Sequence, residues 1–221
     1  MELYETMRTT FACRDYTGEP ISDEVLGTIL DNARFAPSGG NRQGGHLVVV
    51  RDMETKAELS RLAEPAAKRY IAQIRAGENP WNAVHPTAVT PEVIEQTPAP
   101  SMLVEPFIKA DVVIVVCVNL SVVASMDQDL ERVGMISGAS IYPLVWNLLL
   151  AARHEGCGGT ITTLAAAREP EMKALLNLPD DFAIAAVVPL GRPVKQLTKL
   201  KRRPVADFVT IDRFDGAPFE A

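Results

Sequence analysis

Asp111-Val-Val-Ile-Val-Val-Cys-Val-Asn119 decides the fold. Successive side chains of a strand point to opposite faces, and both alternations here are apolar, so a strand over this run has to be covered on both sides. It belongs at the centre of a sheet with layers packed against each face. Downstream, the pattern returns to helix from about Met126 to Arg153, where the small residues Gly134, Ser137, Gly138, Ala139 and Ser140 precede Pro143 and an apolar run from Leu144 to Ala152. Small residues on one helical face permit close approach of another backbone, and a partner helix is the natural candidate. Gly156-Cys-Gly-Gly159 ends that helix and feeds Thr160-Ile-Thr-Thr163. Arg168 to Leu178 is a short helix entered through Pro170, and Phe182 to Leu190 is the last core strand.

Upstream, Met1 to Met7 begins a short helix, and a polar stretch then ends in a turn at Thr17-Gly18-Glu19-Pro20. Ser22 caps the next helix, whose first turn carries Asp23 and Glu24 and whose buried stripe is Val25, Leu26, Ile29, Leu30 and Ala33; Pro37 forbids its continuation. His46 to Arg51 is a strand, and Glu54 to about Arg75 is a helix that Pro65 kinks or divides. Residues 77–106 hold six of the sixteen prolines, interleaved with Trp81, His85, Met102 and Leu103. Such an irregular excursion reads as a lid or binding loop. Residues 192–221 form a basic segment and a mixed tail that need not pack on its own subunit.

A chain of 221 residues, 47% of them hydrophobic, suits a single domain over residues 1–221. With 22 Lys plus Arg against 28 Asp plus Glu, the net charge is −6, which argues against a general nucleic-acid surface. Cys13, Cys117 and Cys157 are widely spaced and accompany only three histidines, so neither a disulfide framework nor a metal site is expected. A reducing cytoplasm is the expected location. The start of the chain lacks the apolar core of a leader, and the apolar runs stop short of a bilayer span, so no membrane partner is expected.

Chemistry concentrates in Ala36-Pro-Ser-Gly-Gly-Asn-Arg-Gln-Gly-Gly45. Its amides, the Ser38 hydroxyl and the side chains of Asn41 and Gln43 lie close together where Gly39, Gly40, Gly44 and Gly45 leave room for a flat polar cofactor. It is not a Walker loop, because Gly45 stands where the lysine should follow Gly44, and Ile161 breaks a dinucleotide fingerprint begun at Gly156. Arg8 and Arg14 near the start, and Lys201, Arg202 and Arg203 near the end, are cationic clusters in an acidic chain; converging, they suit one phosphate dianion, and with the loop they describe a mononucleotide. Singly, each of these side chains reads more simply as solvated charge. His46 and His154 read as structural, and Cys157 as buried rather than reactive. Asp127, Asp129 and Glu131 read as surface that complements a helix dipole.

Taken together, these landmarks resemble the FMN-dependent nitroreductase-like oxidoreductases. The likeness rests on Arg8 to Tyr16 with the Pro20-Ile21-Ser22 helix start, Ala36 to Gln43 before a valine-rich strand, Ser137-Gly-Ala-Ser-Ile141, Gly156-Cys-Gly-Gly159, Pro189-Leu-Gly191 and Lys201-Arg-Arg-Pro204, in the family's order. It implies an α+β fold with a mixed central β-sheet flanked by helices, and an interlocked homodimer with two FMN sites built from both chains. By position, Arg14 matches the basic residue at the phosphoribityl chain or pyrimidine edge, with Arg8 as its neighbour. Ser38, Gly39, Asn41 and Gln43 match the loop beside the ring and cofactor tail, Gly158 and Gly159 the turn approaching the ring, and Lys201 and Arg203 the phosphate ligands. Thr10, Phe11 and Ala12 stand where the family has arginines and a serine, which leaves Arg8 as the candidate replacement. Gly44-Gly45 replaces a common Pro-Trp and is expected to leave more space beside the cofactor.

The resemblance implies ping-pong chemistry, with NADH or NADPH delivering hydride to the flavin and an electron-poor small-molecule acceptor, a nitroaromatic or quinone, then taking it. No catalytic acid is required beyond flavin-tuning Arg14. Trp81 and His85 are the candidate substrate contacts. Dehalogenation, enone or flavin chemistry on the same fold, and a non-enzymatic flavin-binding module, are the alternatives.

Overall fold

The computed structural model describes residues 1–220. Strands β1 (Gly45–Val50), β2 (Val112–Asn119), β3 (Gly158–Gly159) and β4 (Phe182–Gly191) form one sheet in the order β1-β2-β4-β3. β2 lies inside it and all but its last residue are buried, as its two-sided apolar pattern requires. Val112, Ile114 and Val116 pack with Ile29 and Ala33 of helix α2 (Asp23–Ala33) and with Val145 and Leu148 of α6 (Tyr142–His154). Val113, Val115 and Cys117 pack on the other face with Leu59, Leu62 and Ala63 of α3 (Met53–Arg75) and Phe107 of α5 (Ser101–Lys109). The remaining helices are α1 (Leu3–Thr9), which packs on α6, then α4 (Pro91–Gln96) and α7 (Glu169–Leu176), which both pack on α3.

β4 serves both layers through a bulge. Val116 pairs with Ala186 and Cys117 with Ile184, so Ala185 is passed over. The extra residue turns Ile184 toward α3 and Ala186 toward α2 and α6, and the Ala185 carbonyl accepts from Tyr142 Oη at 3.1 Å. At the other end of β2, Asp111 accepts from Arg51 at 2.8 Å and from the Ile21 N–H at 3.0 Å, while buried Lys56 donates to the Ala110 carbonyl at 2.5 Å.

The sequence reading holds for the α2 start, where Ser22 Oγ accepts from the Val25 N–H at 3.2 Å, and for the strands. Several expectations change. All four strands pair antiparallel, and parallel pairing enters the sheet only at the isolated bridge between Ala12 and Gly159, because the N-terminal segment adds along β3 rather than as a full strand. Pro65 does not divide α3; the one amide it removes is outweighed by the packing of Leu62, Ala63, Ala66 and Ala67 around it. Residues 77–106 are not irregular throughout, because Pro91 opens α4 and Pro100 is the N-cap of α5, positions where proline favours helix.

The helix expected from about Met126 begins only at Tyr142, preceded by turns and a 3-10 turn over Ile136–Ser140. Asp127 is the reason. It is buried at 3% exposure, not on the surface, and its carboxylate accepts from the Met135 N–H at 2.8 Å, the Ile136 N–H at 3.3 Å and Arg132 at 2.7 Å. A side chain that satisfies those amides offers the backbone an alternative to the helical ladder, so the small-residue run is no continuous helical face. After β4 the chain returns along the N-terminal segment, with the Val194 N–H on the Asp15 carbonyl at 3.1 Å, and the tail beyond carries exposed Phe208, Ile211, Phe214 and Phe219.

The backbone bond from Met135, above all, holds the Asp127 carboxyl below its ordinary value. A depressed carboxylate contributes stability that is present above its unfolded value, about pH 4, and lost as pH falls through the folded value. Urea unfolding from about pH 7 to about pH 3 is expected to show Asp127→Asn less stable at neutrality and less sensitive to acid than the wild type. Parallel pH profiles for the two proteins would remove Asp127 from this role.

Candidate active site

Beside β3 the N-terminal segment is stitched to the sheet. The Cys13 N–H donates to the Gly159 carbonyl at 3.0 Å, and Tyr16 Oη donates to the carbonyls of Cys13 at 2.8 Å and Pro189 at 3.0 Å. Burial pushes the Tyr16 phenol far above its ordinary range, so it stays a neutral donor. Cys13 points into the core, and Arg14, next along the extended backbone, lines a cavity of about 430 Å3. Thr160 to Leu164 and Pro189 line the same side of that cavity, where Arg14 and the three threonines are the polar members, and Ala66 and Tyr70 of α3, Leu103, Pro106 and Phe107 of α5, and Trp81 close the apolar side.

The structure brings Arg14, Trp81 and the β3 turn together. Gly158 and Gly159 sit immediately before the lining threonines, and their missing side chains are explained by the protein itself: a Cβ on Gly158 would lie 3.0 Å from Cys13 Cβ, and one on Gly159 2.8 Å from the Pro189 carbonyl. Arg8 is exposed on α1, and Lys201 and Arg203 are exposed beyond β4. The N-terminal segment and the stretch after β4 meet, since the Thr17 N–H donates to the Arg192 carbonyl at 2.9 Å and Gln196 to the Thr9 carbonyl at 3.1 Å; neither contact involves the cationic side chains at the two ends. His85 is exposed and forms no part of the cavity wall.

Ser38 to Gly45 lies at the far end of the sheet. Gly45 pairs with Val118 at the end of β2 that Asn119 closes, whereas Pro189 pairs with Val113 at its beginning, so about 17 Å of strand separates loop and cavity in one chain. The loop is shaped by its own polar groups: Ser38 Oγ accepts from the Gln43 N–H at 3.0 Å, Gln43 Nε2 donates to Asn41 Oδ1 at 3.3 Å, and the Gly39 N–H donates to Ser140 Oγ at 3.1 Å. Gly40, Asn41 and Gln43 have φ of 60, 52 and 50°, left-handed backbone that side-chain-bearing residues seldom adopt. The expectation of extra room at Gly44-Gly45 fails. A Cβ on Gly44 would meet Val122 at 2.7 Å, and one on Gly45 would meet Leu144 at 2.9 Å, so neighbouring side chains fill that space.

Thr160, Thr162 and Thr163, and the wall residues Tyr70 and Phe107, escaped the sequence reading, whereas Trp81 and Leu103 lie in the excursion that it sets apart as a lid or binding loop. The threonines follow the expected Gly158-Gly159 directly, a signal that was present; Tyr70 had none, because it reads as ordinary helix stripe.

A cavity in this volume range, with one cation and several hydroxyls on one side and aromatic and aliphatic groups on the other, suits a flat heterocycle with polar edges and apolar faces. The donor set therefore fits a flavin ring. Layered α+β architecture with such a cavity at the sheet edge defines the class, and the comparisons agree. The profile of the nitroreductase family matches residues 7–192, and the chain belongs to that family. The iodotyrosine deiodinase of Nematostella vectensis is 24% identical over 212 residues, covering 95% of this chain and 75% of its own length. Across the animal deiodinases that it matches, the chain spans 58% to 75% of their length. Among solved structures, oxidized iodotyrosine deiodinase bound to FMN and 3-iodo-L-tyrosine aligns with a TM-score of 0.69 at 21% identity, over 96% of this chain and 100% of that one. The NADPH:FMN oxidoreductase from Vibrio harveyi complexed with NAD+ aligns with a TM-score of 0.67 at 21% identity, over 96% and 77% of the two chains. Among the described residues no helix is long and apolar enough to cross a membrane.

Cys13, Cys117 and Cys157 are free and buried, and desolvation raises the thiol pKa of each, Cys117 to about 11. Because the thiolate is the nucleophile, none is expected to react with iodoacetamide in native protein at neutral pH, whereas all three should react in denaturant. Mass spectrometry showing rapid native labelling at Cys13 would open that segment and the cavity wall with it.

Proposed function

We propose that this protein is an FMN-dependent oxidoreductase that acts as a homodimer, takes reducing equivalents from NADH or NADPH and passes them to an electron-poor aromatic small molecule. The observation that carries this reading is the pairing of Arg14 and the Thr160–Thr163 hydroxyls on one side of a cavity with an aromatic wall on the other. Bound FMN would supply the two-electron chemistry. Arg14 would hold the cofactor and place positive charge where the polar edge of its ring gains negative charge, a contribution that grows as the wall excludes water. Thr160 is buried at 4% exposure, so its hydroxyl is held in place before any ligand arrives.

The distance between this cavity and the Ser38 loop supports a dimeric site. Ser38, Gly39, Asn41 and Gln43 cannot reach the cavity of their own chain, and a second copy would bring its loop there. Gly158 and Gly159 beside the cavity, with Arg8, Lys201 and Arg203, complete the proposed cofactor-binding set. Nicotinamide use is supported by the Vibrio harveyi neighbour, whose structure contains NAD+. Reductive dehalogenation is the second reading, favoured by the deiodinases among the relatives. Three free cysteines support a reducing, cytoplasmic setting.

Anaerobic titration of the purified yellow protein with NADPH and NADH is expected to bleach the flavin band, and a nitroarene or quinone should restore it; colourless protein that gains no colour with FMN would defeat the reading. Arg14→Ala is expected to weaken FMN binding by roughly 10- to 100-fold, the range of a charge-assisted hydrogen bond. Co-expression of Arg14→Ala with a Ser38→Ala, Asn41→Ala chain should recover about a quarter of wild-type activity by random pairing, since one of the two sites in each mixed dimer is intact. No recovery above the separate variants would place loop and cavity in different functions.

A further inference from the structure

Residues 78–88 fold back over the end of α3 and are fastened there. Gln73, 2% exposed, accepts the Trp81 backbone N–H on Oε1 at 3.1 Å and donates from Nε2 to Glu78 at 3.2 Å. Glu78 also accepts the Thr87 hydroxyl at 2.6 Å and the Ala88 N–H at 2.7 Å, so one carboxylate ties both ends of the loop to a buried amide. Trp81 is held at φ 54°, a conformation that a bulky residue keeps only when its surroundings impose it. The Arg69 guanidinium stacks 4.1 Å from the centre of its ring, and the indole forms cavity wall together with Tyr70.

The geometry points to Trp81 as the specificity-determining wall of the cavity, latched in place by Glu78 as a positioning residue, and to flat aromatic acceptors without a fixed charge as the substrate class. This rests on the flavin site proposed above. Among the described residues of one chain, Arg14 is the only charged side chain in the wall, and no carboxylate lines it. The Ser38–Gln43 loop that the proposed second copy would add carries no carboxylate either, so the ammonium group of an amino-acid substrate would be buried without a counter-ion from the protein, which is costly. Glu78 is the acid nearest in sequence to Trp81, but its oxygens are already taken by Gln73, Thr87 and Ala88. Those bonds, that from Thr87 foremost, also keep it ionised by holding its carboxyl below the ordinary value. A neutral ring loses little on entering such a cavity and gains stacking against the indole.

The test compares 2-iodophenol with 3-iodo-L-tyrosine, which adds a zwitterionic side chain to the same kind of ring. Binding to oxidised holoprotein is read without turnover from the perturbed flavin absorbance, and binding to flavin-free protein from quenching of tryptophan fluorescence in a Trp146→Phe background. We expect 2-iodophenol to bind at least about tenfold more tightly than 3-iodo-L-tyrosine, Trp81→Ala to weaken 2-iodophenol about tenfold, and Trp81→Phe to restore most of that loss. Glu78→Gln should raise KM for 1,4-benzoquinone while leaving kcat near wild type. In that assay one NAD(P)H and one proton reduce the quinone to hydroquinone with release of NAD(P)+. Equal or tighter binding of 3-iodo-L-tyrosine, an unchanged affinity in Trp81→Ala with the melting temperature preserved, or a fall in kcat alone for Glu78→Gln would each overturn the assignment. Failure to bind FMN would instead defeat the flavin reading; quenching by 2-iodophenol of Trp81, the one tryptophan left in the Trp146→Phe protein, would still support its place in the wall, and no quenching would overturn it.

Discussion

A strand that is apolar on both faces cannot remain at the edge of a sheet or carry only one layer of helices. β2 is such a strand, and its burial demands α2 and α6 on one side and α3 and α5 on the other. Its antiparallel pairing with β1 and β4 then has a functional consequence. The segment preceding β1 is delivered to one end of the sheet, while the end of β4, the β3 turn and the N-terminal segment are gathered at the other. One strand length thereby divides the proposed cofactor contacts into two groups that a single chain cannot unite.

Within the gathered group, small structural requirements place the chemistry. Gly159 brings β3 tight against Pro189, Tyr16 ties the N-terminal segment to that same carbonyl, and Cys13 fills the space over Gly158. Arg14 faces the cavity because its neighbour Cys13 is committed to the core. The opposite wall is built by α3, by α5, which Pro100 opens, and by a loop whose polar groups are spent on one another. The outcome is a cavity with charge and hydroxyls on one side and aromatic surface on the other.

Much of this was legible beforehand. The strand over 111–119, the capped helix at Ser22 and the glycine turn at 156–159 all follow from local rules, because alternation, capping and turn chemistry act between near neighbours. The long helix expected from about Met126 failed for a reason invisible to local pattern: a buried carboxylate at Asp127 competes for amides eight and nine residues away. The room expected at Gly44-Gly45 was misjudged because the side chains that fill it, Val122 and Leu144, are remote in sequence.

The sequence by itself determined the two-layered core and the family, and it named the residues proposed to grip a flat polar cofactor, since each is written in periodicity, in short motifs or in their order along the chain. Tertiary structure alone decided which of those residues share a cavity, that the wall facing Arg14 is aromatic, and that Glu78 is engaged in holding Trp81 rather than open to a ligand. The physical reason is that antiparallel pairing converts adjacency in sequence into opposite ends of a sheet, and only packing between distant segments settles which side chains meet.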